Sequence, residues 1–441
     1  MKMPKRARSP RLHVSKPRRL MLLTTTTGYQ TQAFVEAAQR LGAAVVFGTD
    51  RCHALADPWR DGALPLRFEN PEAAAEEVRK YARKNSLEAI VALGDRPTLT
   101  AARACQALGL PSHPPEASDA CRDKSRSRPC LREAGLRVPG FIRLPLDVEL
   151  AEAASATAWR VGCPCVVKPL ALSASRGVIR ANDMGQFLVA FERLRRLLHN
   201  PDVQVLREET SQFIQAETYI EGKEIAVEGL VDRGRTRILA IFDKPDPLVG
   251  PFFEETIYVT PSRLAANLQA EIAQVLERAV NALGLHHGPF HAELRLNAQG
   301  IWILEVAARS IGGLCARTLR FISPDCSETI SLEELIIRLA LGDDISGFHR
   351  EDRAAGVMMI PVPGTGIFQE VEGIEQARQT PGVEDIIITV KSGEKLVPLP
   401  EGSSYPGFIF ARADSPQAVE DALRGAHQKL RFIMSPALPV I

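Results

Sequence analysis

The segment from Gly288 to Gly313 reads Gly-Pro-Phe-His-Ala-Glu-Leu-Arg-Leu-Asn-Ala-Gln-Gly-Ile-Trp-Ile-Leu-Glu-Val-Ala-Ala-Arg-Ser-Ile-Gly-Gly. Two runs of β type flank Ala298-Gln299-Gly300, a three-residue connection with glycine where a positive φ is needed, so a β-hairpin is expected. With Asn297 opposite Ile301, the register sets Glu293 across from Glu305. Directly opposed residues of an antiparallel pair have Cβ atoms about 4.5 to 5.5 Å apart. One face of the hairpin then carries His291, Glu293, Arg295, Ile303, Glu305 and Arg309. The other carries Ala292, Leu294, Leu296, Trp302, Leu304 and Val306 and is expected to be core. Two carboxylates that close repel each other unless a proton or a cation lies between them. A hard divalent ion such as Mg²⁺, which takes carboxylate and phosphate oxygens together, suits that position. The alternative is a solvated face on which Glu293 and Glu305 pair with Arg295 and Arg309.

The chain has 441 residues, more than one core accommodates, and about three domains are expected. Its 45% hydrophobic and 24% charged residues are those of a soluble globular protein. No apolar run approaches the roughly 18 residues of a membrane span. Residues 1–19 contain eight Lys or Arg and no acid, and a basic Pro-containing tail is expected to be disordered. Nothing downstream supplies aromatic platforms or a basic stripe, so nucleic-acid binding is not expected. The tail also lacks an apolar segment of signal-peptide type, which disfavours secretion, and a cytoplasmic protein is expected, with an Arg-rich, acid-poor transit peptide as the alternative. Eight cysteines are scattered without a Cys-x-x-Cys pair, and Cys163-Pro164-Cys165 is too tight for the usual zinc spacing. Buried thiols in a reducing compartment are the reading.

Strand-like Leu20–Leu23 runs into Thr24–Gly28, a helical pattern through Leu41, and a second strand at Ala43–Phe47. Helical Glu72–Asn85, strand-like Ala89–Leu93 and helical Thr98–Leu108 follow, a pattern that predicts a parallel α/β domain. Its ligand edge lies at Thr24–Gly28 and Gly94-Asp95, after the strands. There is no Gly-x-Gly-x-x-Gly after the first strand and no Gly-x-x-x-x-Gly-Lys-Ser/Thr anywhere, so Rossmann and P-loop readings lose their basis. Cys121-Arg122-Asp123-Lys124 opens a helix stopped by Gly135. Pro164–Pro169 is a strand that delivers Lys168 ahead of a small hydroxyl-rich turn, Leu172-Ser173-Ala174-Ser175-Arg176-Gly177. A strand-borne lysine beside turn N–H groups can grip phosphate. Glu217-Thr218-Tyr219-Ile220-Glu221-Gly222-Lys223-Glu224 offers an apolar residue for a purine face and a carboxylate for ribose. Phe252-Phe253-Glu254-Glu255 pairs aromatics with acids, and Ala265–Leu283 is an amphipathic helix. From Gly356 onward, strands to Ile360, at Val383–Val390 and at Gly407–Ala411, then a helix over Ser415–Phe432, predict an α+β closing domain.

The order Asp-Lys, Val-Val-Lys-Pro with Ser-x-Ser-Arg-Gly-Val, Glu-x-Tyr-Ile-x-Gly-x-Glu, His-x-Glu and Glu-Val-x-x-Arg-x-x-Gly-Gly resembles the ATP-grasp superfamily. Within it, the chain is similar to the carboxylate-amine ligases that include bacterial L-amino acid (dipeptide) ligases. The resemblance spans roughly residues 20–435. It implies an α/β and α+β multidomain ATP-grasp fold. Residues 1–19 are then a tail, 20–118 an N-terminal parallel α/β domain, 119–345 the ATP-grasp domain and 346–441 the closing domain. The flap-bearing subdomain is about 119–215 and the hinge and metal-binding subdomain about 216–345. The resemblance further implies that Lys124 and Lys168 contact ATP phosphates under a flap of Ser173, Ser175, Arg176 and Gly177. It assigns Glu217, Tyr219 and Ile220 to the adenine hinge, Glu224 to ribose, and Glu293 and Glu305 to Mg²⁺ or Mn²⁺. Arg309 is assigned to the acyl phosphate beside the Gly312-Gly313 N–H groups, with Glu255 and His291 toward the substrate. Many relatives carry Asn where this chain has Ala307, and glycines where it has Ala171 and Leu172.

The expected reaction is ATP-dependent amide formation through an acyl phosphate, with small-molecule carboxylate and amine substrates. A carboxylase or purine-pathway type of enzyme using bicarbonate or formate, and a nucleotide-binding regulator without turnover, are the alternatives. Monomer and homo-oligomer both stay open.

Overall fold

The computed structural model describes residues 17–25, 30–50, 63–170, 172–205, 207–324, 326–402 and 405–436. Its first unit is a parallel sheet. β1 (Arg19–Thr24), α1 (Thr31–Arg40), β2 (Ala44–Thr49), β3 (Leu64–Pro65), α2 (Pro71–Ala82), β4 (Ala89–Leu93) and α3 (Thr98–Leu108) give the strand order β3-β2-β1-β4. The run Leu20-Met21-Leu22-Leu23 is wholly buried because both faces of the sheet are covered, as parallel sheets require. Leu20 and Leu22 join Phe34 and Ala37 of α1 on one side, and Met21 and Leu23 join Val78 and Ala104 on the other. Two residues of the stretch 1–19, expected as a disordered tail, take part in the fold. Arg18 pairs with Asp343 at 2.6 Å and Arg19 begins β1, while residues 1–16 lie outside the described residues.

α4 (Pro115–Arg122) and α5 (Lys124–Glu133) lead into the second unit. Asp123 caps α5, its Oδ1 accepting from Ser125 N at 2.8 Å, which fixes Lys124 at the helix start. The second unit contains β5 (Phe141–Pro145), α6 (Leu150–Arg160), β6 (Cys165–Pro169), β7 (Ile179–Ala181), α7 (Met184–Leu198), α8 (Pro201–Gln204) and β8 (Phe213–Thr218). Its antiparallel sheet runs β5-β8-β6-β7, and Phe187, Phe191 and Leu194 of α7 close the core over Val167, Ile179 and Ile214.

The third unit begins with β9 (Lys223–Asp232), β10 (Arg235–Asp243), β11 (Ile257–Thr260), α9 (Ala266–Leu283), β12 (Gly288–Asn297) and β13 (Gly300–Ala307). β14 (Arg320–Ser323), β15 (Cys326–Ser331), α10 (Leu332–Ala340) and β16 (His349–Arg350) form a small side layer. The chain then adds β17 (Ala354–Met359), β18 (Gly366–Glu372), α11 (Ile374–Arg378), β19 (Val383–Ile388), β20 (Lys395–Leu396), β21 (Gly407–Ala413), α12 (Pro416–His427) and β22 (Arg431–Ser435). The central sheet has the order β13-β12-β9-β10-β11-β17-β21-β19, so strands of the C-terminal segment extend the sheet that carries the acidic hairpin. The helix expected to reach Phe432 stops at His427. Beyond it Phe432 and Met434 alternate inward in β22, and Phe432 packs on Phe368 with ring centroids 6.0 Å apart. Among the described residues no helix is long and apolar enough to cross a membrane.

The hairpin of β12 and β13 reaches the expected pairing by a different route. Asn297 faces Gly300, not Ile301, which leaves a two-residue turn and sets Leu294 opposite Ile303. One extra residue in β13, Leu304, then shifts the register back, and Glu293 lies opposite Glu305. Ile303, expected on the charged face, therefore belongs to the core with Ala292, Leu294 and Val306. Trp302, expected in that core, is only half-buried and faces Arg295 across the strands.

Candidate active site

The two carboxylates of the hairpin do not pair with Arg295 and Arg309. Each meets a lysine from another element. Lys124 at the start of α5 lies 2.7 Å from Glu305 Oε2, and Lys244, just after β10, lies 3.3 Å from Glu293 Oε1. Lys244 is almost completely enclosed and also meets Glu224 Oε1 at 2.8 Å and Glu255 Oε1 at 2.6 Å. Burial opposes its charge, but these three carboxylates hold the ammonium well above its ordinary value. Burial likewise opposes the charge on Glu293, and Lys244 with His291 holds it well below the usual carboxylate range. Glu255 is pushed the other way by burial and by its acidic neighbours Glu293 and Glu224.

Lys168 arrives on β6 and meets Glu217 Oε2 of β8 at 2.6 Å. Glu217 is also held by Arg128, whose Nη2 approaches Oε1 at 2.5 Å and whose Nη groups reach the Ile303 and Leu304 carbonyls. Arg128 thus fastens α5 and its neighbour Lys124 to the hairpin. Burial would raise Glu217, but Arg128 and Lys168 hold it down at about 2. Burial drives Lys168 down to about 8 against the pull of Glu217, with Arg128 and Lys124 adding repulsion.

Arg309 lies just past β13, where its Nε donates to Asp95 Oδ1 at 2.6 Å and its Nη1 to the Ser310 carbonyl at 2.9 Å. His291 stands between Glu228, 3.3 Å from Nδ1, and Glu293, 3.9 Å from Nε2. Burial disfavours its charge, yet the two carboxylates raise it to about 9. Glu228 Oε2 also accepts from Ile311 N at 3.0 Å, which ties the Gly312-Gly313 loop to β9, and Gly313 takes a left-handed φ of 60°. His291 is accordingly placed between two carboxylates.

The flap and hinge residues are held by neighbouring segments. Ala174 and Ser175 adopt φ values of 55° and 57°, and Gly177 one of 78°, so the turn is sharply curled. Arg176 donates to the Glu401 carbonyl and to Asp202, and the Gly177 N–H donates to the Pro400 carbonyl. Ser173 O accepts from Arg176 N within the turn, and Ala171 lies outside the described residues. Tyr219 has Arg180 at 4.0 Å and Arg295 at 5.1 Å from its ring centroid, and the Ile220 carbonyl accepts from Arg295 Nη1. Glu224 has both oxygens engaged, one by Lys244 and one by Arg295. Of the cysteines expected to be buried, Cys163 is exposed and Cys130 partly so, and both are free.

The sequence reading missed Lys244, Glu228 and Arg128, and gave Asp95 no partner. Asp243 ends β10, the strand beside the hairpin's neighbour β9, and Lys244 follows it directly. Arg128 sits in a helix rich in Ser and Arg that gave no sign of burial.

The carboxylates suit a hard cation. Glu305 lies opposite Glu293 across the hairpin, ligand oxygens of Glu293, Glu224 and Glu255 lie within 4.8 Å of one another, and an all-carboxylate set takes Mg²⁺ or Mn²⁺ in preference to softer ions.

Three family models match this chain: an ATP-grasp N-terminal domain at residues 35–112, an ATP-grasp domain at 161–318, and L-amino acid ligase C-terminal domain 2 at 358–435. The chain carries an ATP-grasp domain. A crystal structure of an L-amino acid ligase from Bacillus licheniformis is 28% identical and superposes with a TM-score of 0.75, covering 96% of this chain and 100% of that one. Alanine–anticapsin ligase of Bacillus subtilis is 27% identical over 299 residues, which are 64% of this chain and 62% of that enzyme. A protein of Sinorhizobium fredii described only as uncharacterised is 24% identical over 439 residues, 96% of this chain and 84% of its own length. The expected fold, an ATP-grasp domain behind a parallel α/β unit, is thus the one observed, and this ATP-grasp protein has amino-acid ligases as its relatives.

Proposed function

We propose that this protein joins the carboxylate of one amino acid to the amine of another, converting ATP to ADP and phosphate by way of an acyl phosphate. The observation that carries this reading is the convergence of Lys124 and Lys244 on the Glu293–Glu305 pair of the hairpin, with Arg309 just past the end of β13. A carboxylate has no usable leaving group for an amine. A carboxylate oxygen of the first substrate therefore attacks the γ-phosphorus of ATP and ADP departs. The amine nitrogen of the second substrate then attacks the acyl carbon, the acyl C–O bond breaks with release of phosphate, and the nitrogen loses a proton.

Lys124, Lys168 and Lys244 grip the phosphates, each exchanging a carboxylate partner for a phosphate oxygen. When Lys244 leaves Glu224 in this way, one Glu224 oxygen becomes available to a ribose hydroxyl. Tyr219 and Ile220 line the adenine site, and the turn from Ser173 to Gly177 closes over the phosphates once Gly177 releases Pro400. Glu293 and Glu305 would hold Mg²⁺, or Mn²⁺ in its place, which would supply charge neutralisation at the terminal phosphates, and Ala307 cannot add a ligand. Arg309 and the N–H groups of Gly312 and Gly313 stabilise the oxyanion formed on amine attack. Glu255, beside Glu293, receives the ammonium group of a substrate. A cytoplasmic location belongs to this reading, since ATP is the energy source.

A phosphate-release screen of the purified chain with ATP, Mg²⁺ and pairs of amino acids tests it. Release that requires a particular pair, with amide formed in equal amount, is expected. Stimulation by bicarbonate in place of amino acids, or nucleotide binding without release for every pair, contradicts it.

A further inference from the structure

Asp95 has no role in the chemistry above, yet it touches the residue at its centre. Gly94, with φ 83°, turns the chain after β4, and the Asp95 carbonyl then caps α3 by accepting from Thr98 N at 3.2 Å and Thr98 Oγ1 at 2.7 Å. With its backbone held, Asp95 projects its carboxylate from the ligand edge of the parallel sheet onto Arg309 Nε. A planar guanidinium fixed at Nε by one acceptor and at Nη1 by another has its orientation set, and its remaining N–H groups are aimed by that choice. The adjacent Arg96 points the other way, to Asp50 at 3.2 Å and Glu208 at 3.0 Å, and so anchors the loop to the flap-bearing unit. Glu305 and Glu228 are the other carboxylates that act on Arg309. Without Asp95, Arg309 is free to turn toward them and away from a substrate.

We propose that Asp95 is a positioning residue for the ligation: it aligns Arg309 on the reacting carboxyl group and makes the N-terminal unit part of the catalytic apparatus. The proposal rests on the ligase reading. It also states how that unit contributes, namely by orienting a catalytic cation instead of contacting nucleotide.

The test uses Asp95→Ala, Asp95→Asn, Arg309→Ala and the Asp95→Ala/Arg309→Ala double variant, each assayed for phosphate and amide side by side. Asp95→Ala is expected to lower kcat about ten- to hundredfold through misplacement of Arg309, with the KM for ATP within roughly twofold of wild type. Asp95→Asn keeps an acceptor for Nε and is expected to fall between wild type and Asp95→Ala. Because Asp95 acts through Arg309, the double variant is expected within roughly twofold of Arg309→Ala alone. Phosphate released per amide is expected to rise above the wild-type ratio in Asp95→Ala, since a poorly held acyl phosphate is lost to water. The α3 cap comes from the Asp95 backbone, so Asp95→Asn is expected to melt with wild type. Wild-type kcat in Asp95→Ala, or an additive loss in the double variant, overturns the proposal alone. A wild-type chain that forms no amide from any pair overturns the ligase reading, and the proposal with it.

Discussion

Replacing Glu217 by Gln removes one charge from the most enclosed ion cluster of the site. Glu217 is 3% exposed, and its carboxyl lies at about 2 against an ordinary 4.5 because Arg128 and Lys168 flank it despite its burial. A carboxyl depressed on folding stabilises the native state at pH values above its unfolded titration, and that contribution fades as pH falls toward the folded value. At about 1.36 kcal/mol per pH unit, Glu217 contributes about 3 kcal/mol above roughly pH 5.5 and about 1 kcal/mol at pH 3. The first figure agrees with the roughly 3 to 5 kcal/mol typical of removing one partner from a buried pair, because Arg128, 1% exposed, is left as an uncompensated cation. Urea unfolding of wild type and Glu217→Gln at pH 7 and pH 3 measures both values. The expected gap is about 3 kcal/mol at pH 7, narrowing to about 1 kcal/mol at pH 3. A gap under about 1 kcal/mol at pH 7, or one that does not change with pH, refutes the assignment of Glu217 as the anchor of Arg128 and Lys168.

Lys168, lowered by burial to about 8, carries its charge below that pH and loses it above, so the KM for ATP is expected to rise between pH 7 and pH 9, and Lys168→Arg to flatten the rise. Steady-state kinetics across that range provide the check. Glu305→Gln is expected to abolish amino-acid-dependent ADP release while thermal melting stays at the wild-type value, and undiminished turnover would remove Glu305 from the ion site. Gly177→Ala places a Cβ at a φ of 78° and 2.9 Å from Pro169 Cδ. With about 1 to 3 kcal/mol of strain in the flap turn, it is expected to raise the KM for ATP at least several-fold, and an unchanged KM would show that the turn takes no part in gripping phosphate.

The parallel unit was legible because its strands are continuous apolar runs separated by amphipathic helices, and Ala89–Leu93 and Thr98–Leu108 fell where periodicity put them. The Glu293–Glu305 pairing was legible too, but for an incomplete reason. A two-residue turn and a bulge at Leu304 cancel, and a bulge leaves no mark in a pattern of alternation. That cancellation is also why Ile303 and Trp302 were assigned to the wrong faces. Lys244 and Glu228 were hidden because their role depends on strand order, β12 beside β9 beside β10, which brings residues 20 to 70 positions apart onto one face. The restraint on Arg176 and Gly177 comes from the distant 400–401 segment, and a sequence window around the flap cannot reveal it. Past His427 the helical period gave way to alternation over Leu430–Met434, so the boundary of α12 was overrun.

On the proposed course of the reaction, the substrate carboxylate is phosphorylated before the amine attacks. Amino acid labelled with ¹⁸O in its carboxylate, incubated with the chain, ATP, Mg²⁺ and an amine partner, reports this directly in the phosphate released. One ¹⁸O atom transferred to inorganic phosphate for each amide formed is the expected result, and amide formation with unlabelled phosphate, or with AMP and pyrophosphate as products, would contradict it.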